Sequence, residues 1–222
     1  MLETLFPKVS WDRMWDATVE TLYMTGISLI ATFILGILLG LLLYLTGRGN
    51  LWANRPVNAV IAAYVNITRS IPFVILLILI IPLTKFLVGT FLGPTAALPA
   101  LIIGAAPFYA RMVEIALREI DRGVVEAAQS MGASSTTIIF KVLLPESTPA
   151  LISGITVTTI AMIGYTAMAG IVGGGGLGTL AYQEGFQRGN SDVTLVATIV
   201  ILLVVFIVQW IGDFFTYITD KR

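Results

Sequence analysis

Glu126–Ser147, EAAQSMGASSTTIIFKVLLPES, is a polar stretch punctuated by glycine and proline in a chain that is otherwise apolar. VVEAAQSM (Val124–Met131) reads as a two-turn helix with small residues on one side. Glu126 sits near its start, where a negative charge favours the helix dipole, and Ala127 and Ala128 are small enough to let another surface approach. Gly132 stands where a helix ends in a left-handed cap. Ser134 or Ser135 can cap a second helix. In TTIIFKVLL (Thr136–Leu144) the residues Ile138, Ile139, Val142 and Leu143 recur at helical spacing. Pro145 is expected to stop that helix, because it has no N–H to donate and restricts the residue before it. The stretch therefore reads as two short helices joined at a glycine corner. On these residues alone it is either an ordinary connection or a docking element, and connections of this length are usually functional.

The surroundings define the solvent. Of 222 residues, 57% are hydrophobic and only 12% charged, whereas a soluble domain is nearer a quarter charged. So much apolar surface calls for lipid. The 13 basic and 13 acidic residues balance, which argues against nucleic acid as a partner, since phosphate binding needs a basic excess. There is no cysteine and no histidine, so disulfides, thiolate metal sites and the usual general base at neutral pH are excluded. A membrane enzyme has little to work with. The start, MLETLFPKVSWDRMWDATVE, lacks a basic region before a short apolar core and is not expected to be a cleaved signal.

A hydrocarbon core about 30 Å thick takes roughly 20 apolar residues in a helix. Five spans are expected, at about 21–45, 60–85, 95–113, 149–171 and 193–213, with a polar segment at about 114–147. The fold class is thus an all-α integral membrane protein, residues 1–222 forming one transmembrane domain. The second span is the least regular. Ile71–Leu83 is too short alone and must extend backward or forward, and Pro72 and Pro82 suggest a bent or broken helix. Ser70 and Pro72 are candidates for the bend.

The positive-inside rule orients the spans. Arg48, Arg55, Arg111, Arg118, Arg122, Lys141, Lys221 and Arg222 fall on one side, and Lys8, Arg13, Lys85 and Arg188 on the other, with Arg69 ambiguous. Eight against four places the polar segment and the C-terminus in the cytoplasm and the N-terminus outside.

Several motifs are weaker than they look. GGGGLG (Gly173–Gly178) contains G-x-G-x-x-G, but a dinucleotide site needs a strand before it and a helix after it. As a phosphate loop it fails at Thr179, where a lysine is required. It reads instead as a flexible or tightly packed outer loop. Gly36 and Gly40 form G-x-x-x-G, used either for close packing of helices or for a dimer contact. Glu114 and Glu119 do not share a helix face, and Asp213 reads as interfacial. Away from Arg69 and Lys85 at the span borders, no span is expected to carry a mid-membrane charge, which weighs against a proton relay but leaves sodium coupling open.

Glu126-Ala127-Ala128, three positions, Gly132, nine positions, then Val142-Leu143-Leu144-Pro145 resembles the cytoplasmic signature of ABC-importer permeases. NITRSIPFVILLILIIPLTKFLVGT, GAAPFYARMVEIAL, EAAQSMGA, KVLLPES and GYTAMAGIVGGGGLG further resemble the short, five-span permeases of methionine ABC importers. One departure is Ile120-Asp121-Arg122-Gly123, where many such permeases carry a proline. The resemblance implies a type I importer permease in the bacterial cytoplasmic membrane. It implies that Glu126, Ala127, Ala128, Gly132, Val142, Leu144 and Pro145 form a coupling helix segment docking on a separate ATPase. The chain would bind no cofactor itself, ATP and magnesium being held by the ATPase. Expected partners are a second copy of the chain, two ATPase subunits, and a methionine-binding lipoprotein or periplasmic protein. The fourth span follows the signature directly, so Met162, Tyr165 and Met168 are candidates for the translocation path, Met168 as an outward gate, because methionine can plug and repack, and Ser70 and Pro72 are candidates for the bend where the second span meets that path. The alternatives are a permease for another amino acid or small solute, or an ion-coupled carrier.

Overall fold

The computed structural model describes residue 6 and residues 8–220, and every regular element among them is helical. Lys221 and Arg222, counted above for orientation, lie outside the described residues.

The first helix, α1, runs Trp11–Thr46. It starts a decade earlier than hydropathy alone suggested. Asp12, Arg13 and Asp16 lower the local hydropathy, yet Met14, Ala17, Thr21, Met24, Ser28 and Thr32 make one buried seam at helical spacing. At 1.5 Å per residue this helix is about 54 Å long, well beyond the hydrocarbon thickness.

The expected span at 60–85 is three helices rather than one: α2 Arg55–Ser70, α3 Phe73–Leu79 and α4 Ile81–Val88. The chain bends by 106° at the break between α2 and α3. Pro72 causes the break, since it cannot donate a ladder hydrogen bond and holds Ile71 out of helical geometry. Pro82 falls in the first turn of α4, where the missing N–H costs nothing. Gly89 closes α4 in a left-handed conformation, φ 81°.

Helix α5 spans Pro94–Arg118, five residues past the expected end at 113. Helix α6, Arg122–Ser130, is the first short helix of the polar stretch. Next, α7 runs Ser135–Ile171 without a stop. Here the structure corrects the sequence reading of Pro145. The ladder widens into a π-helical turn over Ile139–Leu143, and the helix resumes at Leu144. A wider turn moves the carbonyl one turn back out of the way of the proline ring, so the chain passes Pro145 without ending. The second stub and the fourth span are one continuous rod. Residues 172–192 are also not all loop: α8 covers Gly176–Leu180, a π turn follows at Ala181–Gln187, and α9 runs Ser191–Thr219. Among the described residues, four helices are long and apolar enough to cross a membrane, or five when the bent pair α2–α3 is counted as one span.

The chain divides into two compact units. One comprises residues 1–31, 71–105 and 159–209, the other 32–70, 106–158 and 210–222. In the first, Met24, Phe73, Leu101, Met162 and Ala169 form one core, and Met14, Ala17, Leu177, Val193 and Ala197 another. In the second, Tyr109, Val113, Leu117, Ile138 and Leu143 are the centre. Gly36 and Gly40 belong to this second unit. A Cβ on Gly36 would sit 2.5 Å from Tyr109 Cδ1, and one on Gly40 2.5 Å from Val113 Cβ. The G-x-x-x-G pattern thus packs α1 against α5 within the chain.

Candidate functional site

The polar stretch folds around three caps. Asp121 accepts a hydrogen bond from the Gly123 N–H at 2.7 Å and opens α6. At the far end the Gly132 N–H donates to the Gln129 carbonyl at 2.9 Å and the Ala133 N–H to the Ala128 carbonyl at 3.1 Å. With Gly132 at φ +78°, these bonds make a complete left-handed helix end. Ser134, rather than Ser135, then caps α7, accepting from the Thr137 N–H at 3.3 Å. The glycine corner read from sequence is present, and Gly132 is there for its dihedral, since a Cβ would meet nothing within 4 Å.

Helix α6 has two unlike faces. Ala128 is buried with Ile138, Ile139 and Leu143, and Val125 packs against them. Val124, Ala127 and Met131 face outward, Met131 with 82% of its surface exposed. The two signature alanines therefore do different things: Ala127 is open to approach and Ala128 seats α6 on its own chain. Val142, half-buried, lines the same open groove as Val124, Ala127 and Met131. Glu126 is exposed beside it, its carbonyl accepting from the Ser130 hydroxyl at 2.9 Å. Leu144 is half-buried and Pro145 exposed, while Leu143, which the sequence reading left out of the site, is fully buried and anchors the segment.

One charged cluster was missed. Glu114 is buried on α5, gripped by Arg111 and by Arg118 at 2.5 Å, and Arg111 also donates to the Asn66 amide oxygen at 2.9 Å. The sequence reading ended the third span at 113; α5 instead extends to Arg118 and carries Glu114 in its last turns. The signal was the spacing Arg111, Glu114, Arg118, three and four apart on one helix face.

The proposed path residues are sorted by burial. Met162 has no exposed surface and lies in the core with Phe73 and Leu101, so it does not open onto a path within this chain. Tyr165 is half-buried and stacks on Phe73, with centroids 4.5 Å apart and planes 8° off parallel. Met168 is 42% exposed, on one side of α7 with exposed Gly164 and Ile171. Ser70, whose hydroxyl donates to the Asn66 carbonyl at 2.8 Å, and Pro72 do mark the α2–α3 bend.

The glycine run is tightly packed. A Cβ on Gly178 would lie 2.5 Å from Ala167 Cα. Glu20 accepts from the Gly176 N–H at 2.6 Å and the Thr21 hydroxyl from the Leu177 N–H at 2.9 Å. The first turn of α8 is thereby held by α1 side chains, leaving no phosphate cradle.

A family model, the binding-protein-dependent transport system inner membrane component, matches residues 33–222. The chain is 67% identical over 222 residues, all of both chains, to the methionine import system permease protein MetP of Bacillus subtilis (strain 168). It is 48% identical to the probable D-methionine transport system permease protein MetI of Pasteurella multocida (strain Pm70), over 96% of this chain and 98% of that one. A solved structure of inward facing conformations of the MetNI methionine ABC transporter matches with a TM-score of 0.92 and 43% identity, over 94% of this chain and 97% of the other. The chain belongs to the family of binding-protein-dependent transport system inner membrane components.

Proposed function

We propose that this chain is the membrane permease subunit of an ATP-driven methionine importer. The observation that carries the cargo is the 67% identity, over the whole of both chains, to a methionine import permease. The observation that supports the coupling is the open apolar face of α6, Val124, Ala127 and Met131 with Val142, beside the start of the long helix α7. An ATPase subunit, holding ATP and magnesium, grips that face together with Glu126. Two copies of the chain form the path, and an extracytoplasmic binding protein delivers the amino acid.

The continuity of α7 gives the coupling a mechanical basis. Force applied at the Gly132 corner passes along one helix from Ser135 to Met168 and Ile171. Leu143 and Ala128 keep α6 and the start of α7 moving as one body. Alternating access then follows from movement of such bodies about a fixed site. Met168, on the exposed side of α7, is the proposed gate, with Tyr165 braced by Phe73 behind it.

The charge distribution supports the orientation. Among the described residues, Arg48, Arg55, Arg111, Arg118, Arg122 and Lys141 all fall in the second compact unit, and Lys8, Arg13, Lys85 and Arg188 in the first. The segments that carry this basic excess are assigned to the cytoplasmic side. Arg69, ambiguous from sequence, falls in the second unit, its guanidinium 5.6 Å from the Phe108 ring centroid. The reading is tested by uptake of labelled methionine into liposomes. Uptake is expected only with the ATPase, the binding protein and ATP all present. Uptake by this chain alone would instead indicate an ion-coupled carrier or a channel.

A further inference from the structure

The end of α1, the turn after it, the start of α2 and the end of α5 with its exit enclose an open cavity of about 690 Å³. Arg48, Arg55, Arg118 and Arg122 line it, together with Asn50 and Asn58, and among the described residues no carboxylate does. Among the described residues Arg118 has the Glu114 ion pair at 2.5 Å, while Arg48, Arg55 and Arg122 have none. Nearby acids are engaged or turned elsewhere. Asp121 caps the Gly123 N–H at 2.7 Å, Glu119 lines a separate cavity with Glu146 and Asp220, and Glu126 lines an adjoining one beside Arg122.

The frame that presents these arginines is hydrogen-bonded throughout. The Asn58 amide donates to the Leu43 carbonyl at 2.8 Å and to the Thr46 hydroxyl at 3.0 Å. The Asn50 amide donates to the Tyr44 carbonyl. The Trp52 N–H donates to the Leu45 carbonyl at 3.0 Å and the Asn54 N–H to the Thr46 carbonyl at 2.9 Å. Arg48 and Arg55 thus project from a closed turn instead of a loose loop.

Four guanidiniums sharing one cavity repel one another. The arrangement asks for an anion. Its place selects which anion. The cavity lies at the end of the apolar span of α1, the depth at which lipid head groups sit. Leu38 and Leu42 on α1 and Val60 on α2 are exposed apolar side chains on the elements that form it, and Trp52 is exposed in the turn, as an interfacial aromatic would be. A free phosphate would satisfy the charge and leave that apolar flank unused. We propose that the cavity binds the head group of an anionic phospholipid of the cytoplasmic leaflet, with the acyl chains lying along α1 and α2. The leaflet rests on the orientation proposed above; the binding itself does not.

The test uses the purified full-length chain in detergent, titrated with phosphatidylglycerol, phosphatidylcholine or inorganic phosphate and read by native mass spectrometry. Each arginine near an anionic lipid adds about fivefold in affinity, so R48Q/R55Q/R122Q should bind phosphatidylglycerol about a hundredfold more weakly than the parent. Arg118 is left in place to preserve the Glu114 pair. Should the triple variant fail to fold by circular dichroism, Arg48→Gln and Arg55→Gln alone should each lose about fivefold. Equal retention of phosphatidylglycerol by parent and folded variants would overturn the proposal. So would equal binding of phosphatidylcholine, or displacement of the lipid by inorganic phosphate at matched concentration. Undiminished lipid binding with weakened ATPase association would mark the cavity as a protein contact and overturn it too. Failure of methionine uptake would leave this binding unchanged, which keeps the two readings apart.

Discussion

Gly36 of α1 lies directly against Tyr109 of α5, so that a single added methyl would come within 2.5 Å of the tyrosine ring. Tyr109 is itself fully buried, and its hydroxyl reaches the Leu151 carbonyl at 3.3 Å. The ring has nowhere to move. Gly36→Ala is expected to cost about 1–3 kcal/mol by overpacking, seen as a lower midpoint of thermal unfolding in detergent. Gly26→Ala, in open space on the same helix, should be silent. Equal behaviour of the two would show that Gly36 serves something other than this contact.

Gly132 is a conformational glycine. With φ at +78° and no neighbour within 4 Å of a Cβ, any penalty comes from the backbone, about 1–2 kcal/mol for an ordinary residue. Gly132→Asn should be tolerated and Gly132→Val should not, because asparagine visits the left-handed region and a β-branched residue avoids it. Co-purification with the ATPase is the readout. Loss with both residues alike would point to a steric role at a docked interface.

Glu114 is a buried acid, with 3% of its side chain exposed, against 27% for Arg111 and 66% for Arg118. Glu114→Ala is expected to lower stability by about 1–3 kcal/mol through loss of charged hydrogen bonds. Arg118→Ala should cost less than Arg111→Ala, since the exposed guanidinium contributes little. Thermal unfolding of the three single variants checks the order.

Because the chain has no cysteine, single cysteines report access cleanly. Met168→Cys should react with a water-soluble maleimide and Met162→Cys should not, following their burial. If Met168 gates the path, its labelling rate changes when ATP is added to the assembled complex. A rate indifferent to ATP would remove Met168 from the gate.

The residues also show what a sequence alone discloses. The corner at Gly132 was legible because its cap chemistry is local: one glycine, one serine and the spacing between them. The lipid-crossing character of α1 and α9 was legible because long uncharged runs have few other uses. Pro145 misled, because its usual effect can be absorbed by a π turn whose presence depends on how Leu143 and Ile139 pack. Met162 and Met168 looked alike in sequence, and burial separates them only once the neighbouring helices are in place. The arginine cavity escaped notice because its four members come from two stretches, 48–55 and 118–122, far apart in the chain.

The central claim is that the outward face of α6 is the surface a cytoplasmic ATPase grips. Its most direct test is photocrosslinking in the assembled complex, with a benzophenone maleimide placed at Ala127→Cys on the exposed face. The account predicts a crosslink from Ala127→Cys to the ATPase that responds to ATP. No crosslink there, together with labelling of the same cysteine by an impermeant reagent from outside intact cells, would contradict it.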